Sequence, residues 1–247
     1  MSSPTQTHFL PTRWTLVLAA RGDTPEGRAA LGELCESYWQ PVFRFLRRDG
    51  RDEEAARELT QEFFARVLAR GGLGAADPAR GRFRSYLLGA LKHFLADQRS
   101  QAEAAKRGGG VVPESWDGSS ETDAGVVAVK GSTEVPDTFF DRHWAYAIME
   151  RALRAVEREF HTAGREDQFA VLKPWLVGDT SALSQSEAAR QLGLSEGAVK
   201  VAVHRLRRRF REWIRAEVAQ TVDAGQSVDE ELRYLVEVLS TEGKAES

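Results

Sequence analysis

Cationic side chains follow one side of a helical pattern near position 200. They are Lys200, His204, Arg207, Arg208, Arg211 and Arg215. Their positions lie about 100° around the helix axis from an apolar stripe at Val199, Val203 and Leu206, which continues through Phe210 and Trp213. Cations on one helix face bind phosphate oxygens by charge-assisted hydrogen bonds. The pattern therefore favours contact with a nucleic-acid backbone, although a solvated basic helix that only supports the fold is the alternative.

The residues before this cationic face have the pattern of a helix-turn-helix. Ser184 and Glu187 have the spacing of a capping box, which predicts that a short helix begins there. Gly193 permits a sharp turn, and Ser195 then provides an N-cap for a second helix. A capped helix, a glycine turn and a helix with apolar and basic faces together predict a DNA-binding motif.

The start of the second helix indicates which residues contact bases. Positions 197 and 198 carry Gly and Ala, which let the helix N-terminus lie deep in a major groove. The partial positive charge of that terminus also favours phosphates. We expect Ser195, Glu196 and Lys200 to contact base edges. His204 remains open between DNA contact and plain exposure.

The formal net charge of −3 conceals an uneven distribution of charge. Residues 80–107 carry seven Lys or Arg against two acidic residues, and residues 195–215 have the same balance. Residues 108–136 carry one Lys against five acids, and residues 221–247 carry two basic residues against seven acids. Since electrostatic binding depends on local charge, the acidic segments do not argue against two DNA-binding regions.

Apolar residues recur at three- and four-residue spacing along most of the chain, and alternating patterns are rare. This predicts an all-α fold, which we interpret as two helical domains joined by a flexible linker, with a single domain as the alternative. The predicted boundaries are 1–22 for an N-terminal helix around Trp14, 23–107 and 137–220 for the domains, 108–136 for the acidic linker, and 221–247 for an acidic tail. The tail carries a short helix that we expect to be solvated, with folding on either domain or on a partner as the alternative.

Several helix limits can be predicted within these domains. Thr24 and Pro25 indicate a helix start, and Pro41 should kink or divide that helix. Gly164 should end a helix that begins near Phe140, and a further short helix should reach Trp175.

Composition also limits the class of protein. Cys35 is the single cysteine, so the chain has neither an internal disulfide nor a cysteine-cluster metal site, and we expect this residue to be a small buried hydrophobe. Residues 1–12 lack the pattern of a secretory signal, and no apolar stretch is long enough for a membrane span. We therefore expect a cytoplasmic protein with no membrane partner.

Two sets of motifs resemble the sigma-70 family of RNA polymerase sigma factors. The helix-turn-helix resembles region 4 of these proteins in LSQSEAA (183–189), GAVK (197–200) and Arg205. The first basic part of the chain resembles region 2, in the usual order, through ARELTQEFF (56–64), FRSYL (83–87) and ADQR (96–99). No region 1 or folded region 3 is recognisable, and in this the sequence resembles the extracytoplasmic-function group.

The resemblance implies roles for named residues. The residues implied to bind core RNA polymerase are Glu58, Gln61 and Glu62. The residues implied to bind and open the minus-ten element of promoter DNA are Arg82, Phe83, Arg84, Tyr86, Lys92, His93 and Arg99. The residues implied to bind the minus-thirty-five element are Ser195, Glu196, Lys200, His204, Arg205, Arg207, Arg208 and Arg211.

Some of these assignments leave alternatives open. Phe83 and Tyr86 have the spacing of core aromatics as well as the chemistry to stack on an unpaired base. Lys92 and His93 stand where many relatives have Arg and Asn, and Lys lacks the forked geometry of Arg, so the base preference is open. The resemblance implies no cofactor, metal or small-molecule substrate, and it allows an anti-sigma factor as a further partner.

Three other classes of protein are alternatives to this interpretation. A dimeric helix-turn-helix regulator would bind a palindrome without polymerase. An all-helical enzyme is disfavoured because the five histidines show no metal-ligand spacing and Gly72-Leu73-Gly74 lacks the context of a dinucleotide-binding loop. A helical scaffold is disfavoured by the two basic segments.

Overall fold

The computed structural model describes residues 24–68, 83–106, 135–178, 183–220, 222 and 227–240. Every regular element in these residues is a helix, and no strand occurs among them. The predicted all-α fold class is therefore confirmed. The predicted helix around Trp14 and nearly all of the predicted linker lie outside the described residues. Within the described ranges, no helix is both long and apolar enough to cross a membrane.

The chain divides into two compact units. The described helices of the first unit are α1 (Pro25–Arg48), α2 (Glu53–Leu68), α3 (Phe83–Lys106), the part of α4 (Pro136–Thr162) up to Ala147, and α9 (Val228–Ser240). Those of the second unit are the remainder of α4, α5 (Glu166–Leu172), α6 (Pro174–Val177), α7 (Gln185–Leu192) and α8 (Glu196–Ala219). The unit boundary thus falls inside α4, and not before it as the predicted domain limit of 137 had it.

Aromatic side chains explain why the first part of α4 belongs to the first unit. The ring of Trp144 stacks on that of Tyr38 in α1, with centroids 4.4 Å apart and planes 2° apart. Phe140 meets Phe45 edge-on at 6.1 Å. Phe83 packs edge-on against Tyr38 at 5.3 Å. Burial of these rings removes a large apolar area from water, which holds α1, α3 and α4 together.

The limits of the helices follow the local sequence in most places. α1 begins at Pro25 and ends before Gly50, which has a φ of 87°. It continues through Pro41 as one helix, so of the two predicted effects of Pro41 the division does not occur, and the kink stays a prediction. α4 ends before Gly164, at a φ of 62°, as predicted. The predicted helix to Trp175 is two short helices, because Pro174 lacks a backbone N–H and begins a new one.

The second unit has its own apolar core, to which α4 to α8 all contribute. Its buried members are Val156, Phe169, Leu172, Trp175, Ala188, Ala189, Val199, Val203 and Leu206. The stripe predicted for the second helix of the motif supplies three of these residues, all from α8. This core therefore fixes α7 and α8 against the rest of the unit and leaves their opposite faces in solvent.

Candidate nucleic-acid interface

The second unit contains the predicted helix-turn-helix. The hydroxyl of Ser184 accepts a hydrogen bond from the amide of Glu187 at 3.3 Å, and the Ser184 amide donates to the Glu187 carboxylate at 2.9 Å. The capping box is thus complete. Hydrogen bonds from the Ser184 hydroxyl and then from its amide lower the pKa of Glu187.

Gly193 makes the turn between α7 and α8. Its φ of 63° and ψ of 30° lie in the left-handed region, which glycine adopts without steric cost. The amide of Leu194 donates to the carbonyl of Ala189 at 2.9 Å, which closes the end of α7. The hydroxyl of Ser195 then accepts from the amide of Ala198 at 3.2 Å, as expected of the N-cap of α8.

Arg207 links α8 to α6. Its Nε and Nη2 donate to the backbone carbonyl of Trp175 at 3.1 and 3.0 Å. This pair of bonds satisfies a carbonyl at the end of a short helix and fixes the orientation of the guanidinium. Arg207, predicted as a DNA contact, therefore also has a structural role that its sequence position does not reveal.

Three exposed cations of α8 and an exposed histidine have no partner within the described residues. The cations are Lys200, Arg205 and Arg211 and the histidine is His204, for which no ion pair or side-chain hydrogen bond is present there. Lys200, His204 and Arg211 border a groove that is also lined by Ser184 and Gln185, at the N-terminus of α7. The partial positive charge of a helix N-terminus adds to that of the side chains. This surface is therefore suited to bind an anion such as a phosphate.

Two arginines of α8, Arg208 and Arg209, pair with acidic side chains of the second unit. Arg208 pairs with Glu212 at 2.9 Å, although its side chain is 73% exposed. Arg209 binds Glu159 of α4, whose carboxylate also accepts from the indole N–H of Trp213 at 3.0 Å. Hydrogen bonds from Arg209 lower the pKa of Glu159 below its ordinary value. The Arg208–Glu212 pair lies within α8, whereas the contacts of Arg209 and Trp213 with Glu159 join α8 to α4.

The residues with predicted base contacts are all at the solvent surface. Ser195, Glu196 and Lys200 are exposed at the first turn of α8. At Gly197, an added Cβ would meet no atom closer than the Ser195 hydroxyl oxygen at 4.0 Å. The start of α8 is thus slim and accessible, as predicted, and the contact with bases stays a prediction.

In the first unit, the residues predicted to bind polymerase share one solvent-facing side of α2. Glu58, Gln61 and Glu62 are exposed, whereas Ala56 and Phe63 of the same helix are buried. The Glu62 carboxylate accepts from the side-chain amide of Gln98 in α3 at 2.7 Å. All three side chains are therefore accessible to a partner, and their binding role stays a prediction.

Two of the residues predicted to contact the minus-ten element are instead in the interior. Phe83 is 2% exposed and packs in the aromatic core described above, and Arg84 is 4% exposed. A buried side chain cannot reach DNA without opening of the unit, so the structure corrects the predicted role of both. Both roles came from the motif resemblance, and a short motif does not distinguish an exposed side chain from a buried one.

The remaining residues of that predicted set are distributed along α3. His93 is exposed and Tyr86 is half-buried, with its ring centroid 6.0 Å from that of Phe83. Lys92 pairs with Asp137 at 2.6 Å, and Arg99 pairs with Asp49 at 2.6 Å. Arg82 lies outside the described residues.

A buried polar cluster surrounds Arg84. Its Nε donates to Asp141 of α4 at 2.8 Å, and its guanidinium also binds Glu231 of α9. The hydroxyl of Tyr234 donates to Asp141, and the Arg84 guanidinium lies 5.2 Å from the Tyr234 ring centre. Burial opposes the charge of Arg84, but the two carboxylates outweigh burial and raise its pKa. Burial and then the bond to Asp141 raise the pKa of Tyr234 to about 12.

This cluster overturns the expectation of a solvated tail helix. Glu231, Leu235 and Val238 of α9 are buried. α9 belongs to the first unit because one of its faces is apolar and because Glu231 forms an ion pair with Arg84. No sequence signal connects the two residues, which are 147 positions apart.

Cys35 is half-buried, and burial, then the charge of Glu36, raise the pKa of its thiol. A raised thiol pKa disfavours the nucleophilic thiolate.

Among the described residues, no group of three or more His, Cys, Asp or Glu side chains is arranged to hold a metal ion.

Comparison of the chain with protein-family models, with curated proteins and with solved structures gives no significant match. A functional assignment therefore depends on the residues of the two surfaces and on the motif resemblance described above.

Proposed function

We propose that this protein is an RNA polymerase sigma factor of the sigma-70 type, similar to the extracytoplasmic-function group. In this proposal the second unit binds the minus-thirty-five duplex through α7 and α8. The first unit binds core RNA polymerase and the minus-ten element. The observation that supports DNA binding most directly is the set of exposed α8 cations without intramolecular partners, beside the capped N-terminus of α7.

The positions of residues along α8 support separate roles in phosphate contact and in base contact. Arg211 lies about four turns beyond the start of the helix, where it can bind a phosphate and fix the position of the unit on the duplex. Glu196 and Lys200 lie at the first turn, where they can reach base edges. No covalent step is needed, because positioning and charge neutralisation suffice for recognition.

The first unit supports the polymerase part of the proposal through the exposed residues Glu58, Gln61 and Glu62. For the minus-ten element, the accessible residues are now His93 and Arg99, with the half-buried Tyr86 and Lys92. An unpaired base can stack on an aromatic ring while cations hold the backbone. Phe83 and Arg84 are no longer part of this proposed surface.

The proposal is tested by mixing the purified full chain with core RNA polymerase. We expect a stable complex on size-exclusion chromatography and run-off transcripts from a genomic DNA template. The double variant Glu58→Ala with Gln61→Ala should lower the fraction of chain in the complex. Glu54→Ala, which removes an exposed acid from the first turn of the same helix, is the matched control and should leave the complex unchanged.

Other results would overturn the proposal. A chain that binds a palindromic duplex as a dimer, without associating with polymerase, would be a conventional regulator. A chain that binds neither polymerase nor DNA would have a function of another class.

A further inference from the structure

An apolar side chain stands on the exposed face of the helix that we propose to enter DNA. Val201 is 50% exposed, more than any other large hydrophobic residue in the described part of the second unit; Leu194 at 38% and Met149 at 37% follow. An apolar side chain that stays in contact with water contributes no hydrophobic stabilisation to the folded chain. Val201 is therefore a candidate for contact with a ligand.

The position of Val201 on α8 is opposite to the core. Val199 and Val203, two residues before and after it, are both buried. Since each residue advances about 100° around the axis, Val201 points away from both. One turn earlier is Gly197, which has no side chain and open space around it. The valine methyl groups therefore project from a slim part of the helix.

The surroundings of Val201 are cationic. Lys200 is its neighbour in the chain, and Arg205 is one turn later on the same side of the helix. Both cations are exposed and have no partner among the described residues. Cations on either side would attract the phosphate backbone and so bring the valine towards the floor of the groove.

The major groove displays only one apolar group, the C5 methyl of thymine. We propose that Val201 is a specificity-determining residue that contacts this methyl group and so selects a thymine at one position of the duplex. This inference rests on the proposed DNA-binding function. Burial of one methyl group contributes enough to change affinity by about three- to five-fold.

The test begins with selection of duplexes from a library with a randomised segment, with the full chain alone and with core RNA polymerase added. The selected duplex is then remade with deoxyuridine in place of one thymidine at a time, which removes only the methyl group. For the unmodified chain, we expect about three- to five-fold weaker binding at one position. Val201→Ser should bind the thymine and uracil duplexes equally at that position.

Two further variants sharpen the result. Val201→Thr keeps one γ-methyl group and should keep a preference for thymine over uracil. Val236→Ser changes a valine of α9 that is 62% exposed, and should bind both duplexes as the unmodified chain does. Circular dichroism of each variant establishes that the helices are intact.

The outcomes separate this inference from the proposed function. Enrichment of a duplex with no sensitivity to uracil at any position would overturn the role of Val201 and leave DNA binding intact. Sensitivity that persists unchanged in Val201→Ser would also overturn it. Loss of polymerase association in Val201→Ser, with DNA binding unchanged, would make this surface a protein contact instead. Failure to enrich any duplex in either arm would count against the proposed function itself.

Discussion

The guanidinium of Arg84 in α3 forms an ion pair with the carboxylate of Glu231 in α9, and the two side chains are 4% and 1% exposed. Asp141 of α4 shares the same guanidinium. Three helices thus meet at one buried cation. A residue that the motif resemblance assigns to DNA has instead become a structural contact of the first unit.

Replacement of Arg84 should destabilise the first unit strongly. Arg84→Ala leaves Asp141 and Glu231 buried without their cation, and breaking a buried pair in this way costs about 3–5 kcal/mol. The free energy of unfolding in urea measures the effect. Glu230→Ala, an exposed acid next to Glu231, is the control and should change stability by less than about 0.5 kcal/mol. Unchanged stability with weakened DNA binding in Arg84→Ala would restore the original assignment.

A β-carbon at Gly193 should lower the stability of the helix-turn-helix. Nothing lies within 4 Å of an added Cβ, so the cost is that of the left-handed backbone alone, about 1–2 kcal/mol for Gly193→Ala. Gly89, inside α3, also has open space but does not have a positive φ. Gly89→Ala should therefore stabilise the chain by about 0.5–1 kcal/mol, measured in the same unfolding experiment. Two changes of the same sign would contradict this account.

Salt dependence should distinguish free from paired cations on α8. Arg211→Ala removes a cation with no partner among the described residues, and should reduce the slope of log affinity against log salt by about 1. Arg208→Ala should have a smaller effect, because Arg208 must first leave Glu212. Titration of a random-sequence duplex at several salt concentrations measures both slopes.

A control accompanies this comparison. Arg154→Ala removes an arginine that is 58% exposed and pairs with Glu150 on α4, and should leave the slope unchanged. Equal slopes for all three variants would place the DNA contact elsewhere.

Lowering the pH should reduce the stability of the second unit because Glu159 becomes protonated. Hydrogen bonds from Arg209 lower the pKa of the folded state, so the contribution of Glu159 to stability is present above its unfolded pKa of about 4.3. It is lost as the pH falls through the folded pKa. We expect the difference in unfolding free energy between the unmodified chain and Glu159→Gln to shrink from about pH 7 to about pH 3. A difference that is constant across this range would mean that Glu159 acts through shape and not through charge.

Local signals predicted the helix-turn-helix well. The capping box at Ser184, the turn at Gly193 and the cap at Ser195 each depend on residues within a few positions of one another, so local sequence determines them. The apolar and cationic faces of α8 follow from helical spacing for the same reason.

Contacts between segments that are distant in the sequence could not be predicted from local patterns. The motif resemblance implied a DNA contact for Arg84, whereas its carboxylate partners come from residues 141 and 231, which no local pattern connects with it. Arg207 and Arg209 were likewise counted as one basic island, although a carbonyl of α6 fixes the first and a carboxylate of α4 binds the second. Charge composition alone cannot separate a cation that binds a ligand from one that binds its own chain.

The place of α9 also has a consequence for biosynthesis. The first unit is discontinuous, because residues 148–219 intervene between α4 and the helix that carries Glu231. Domains generally fold as they leave the ribosome, N-terminal ones first. Here the ribosome synthesises the whole second unit before it synthesises Glu231, the partner of Arg84. The second unit can therefore fold while the first unit still lacks its last helix.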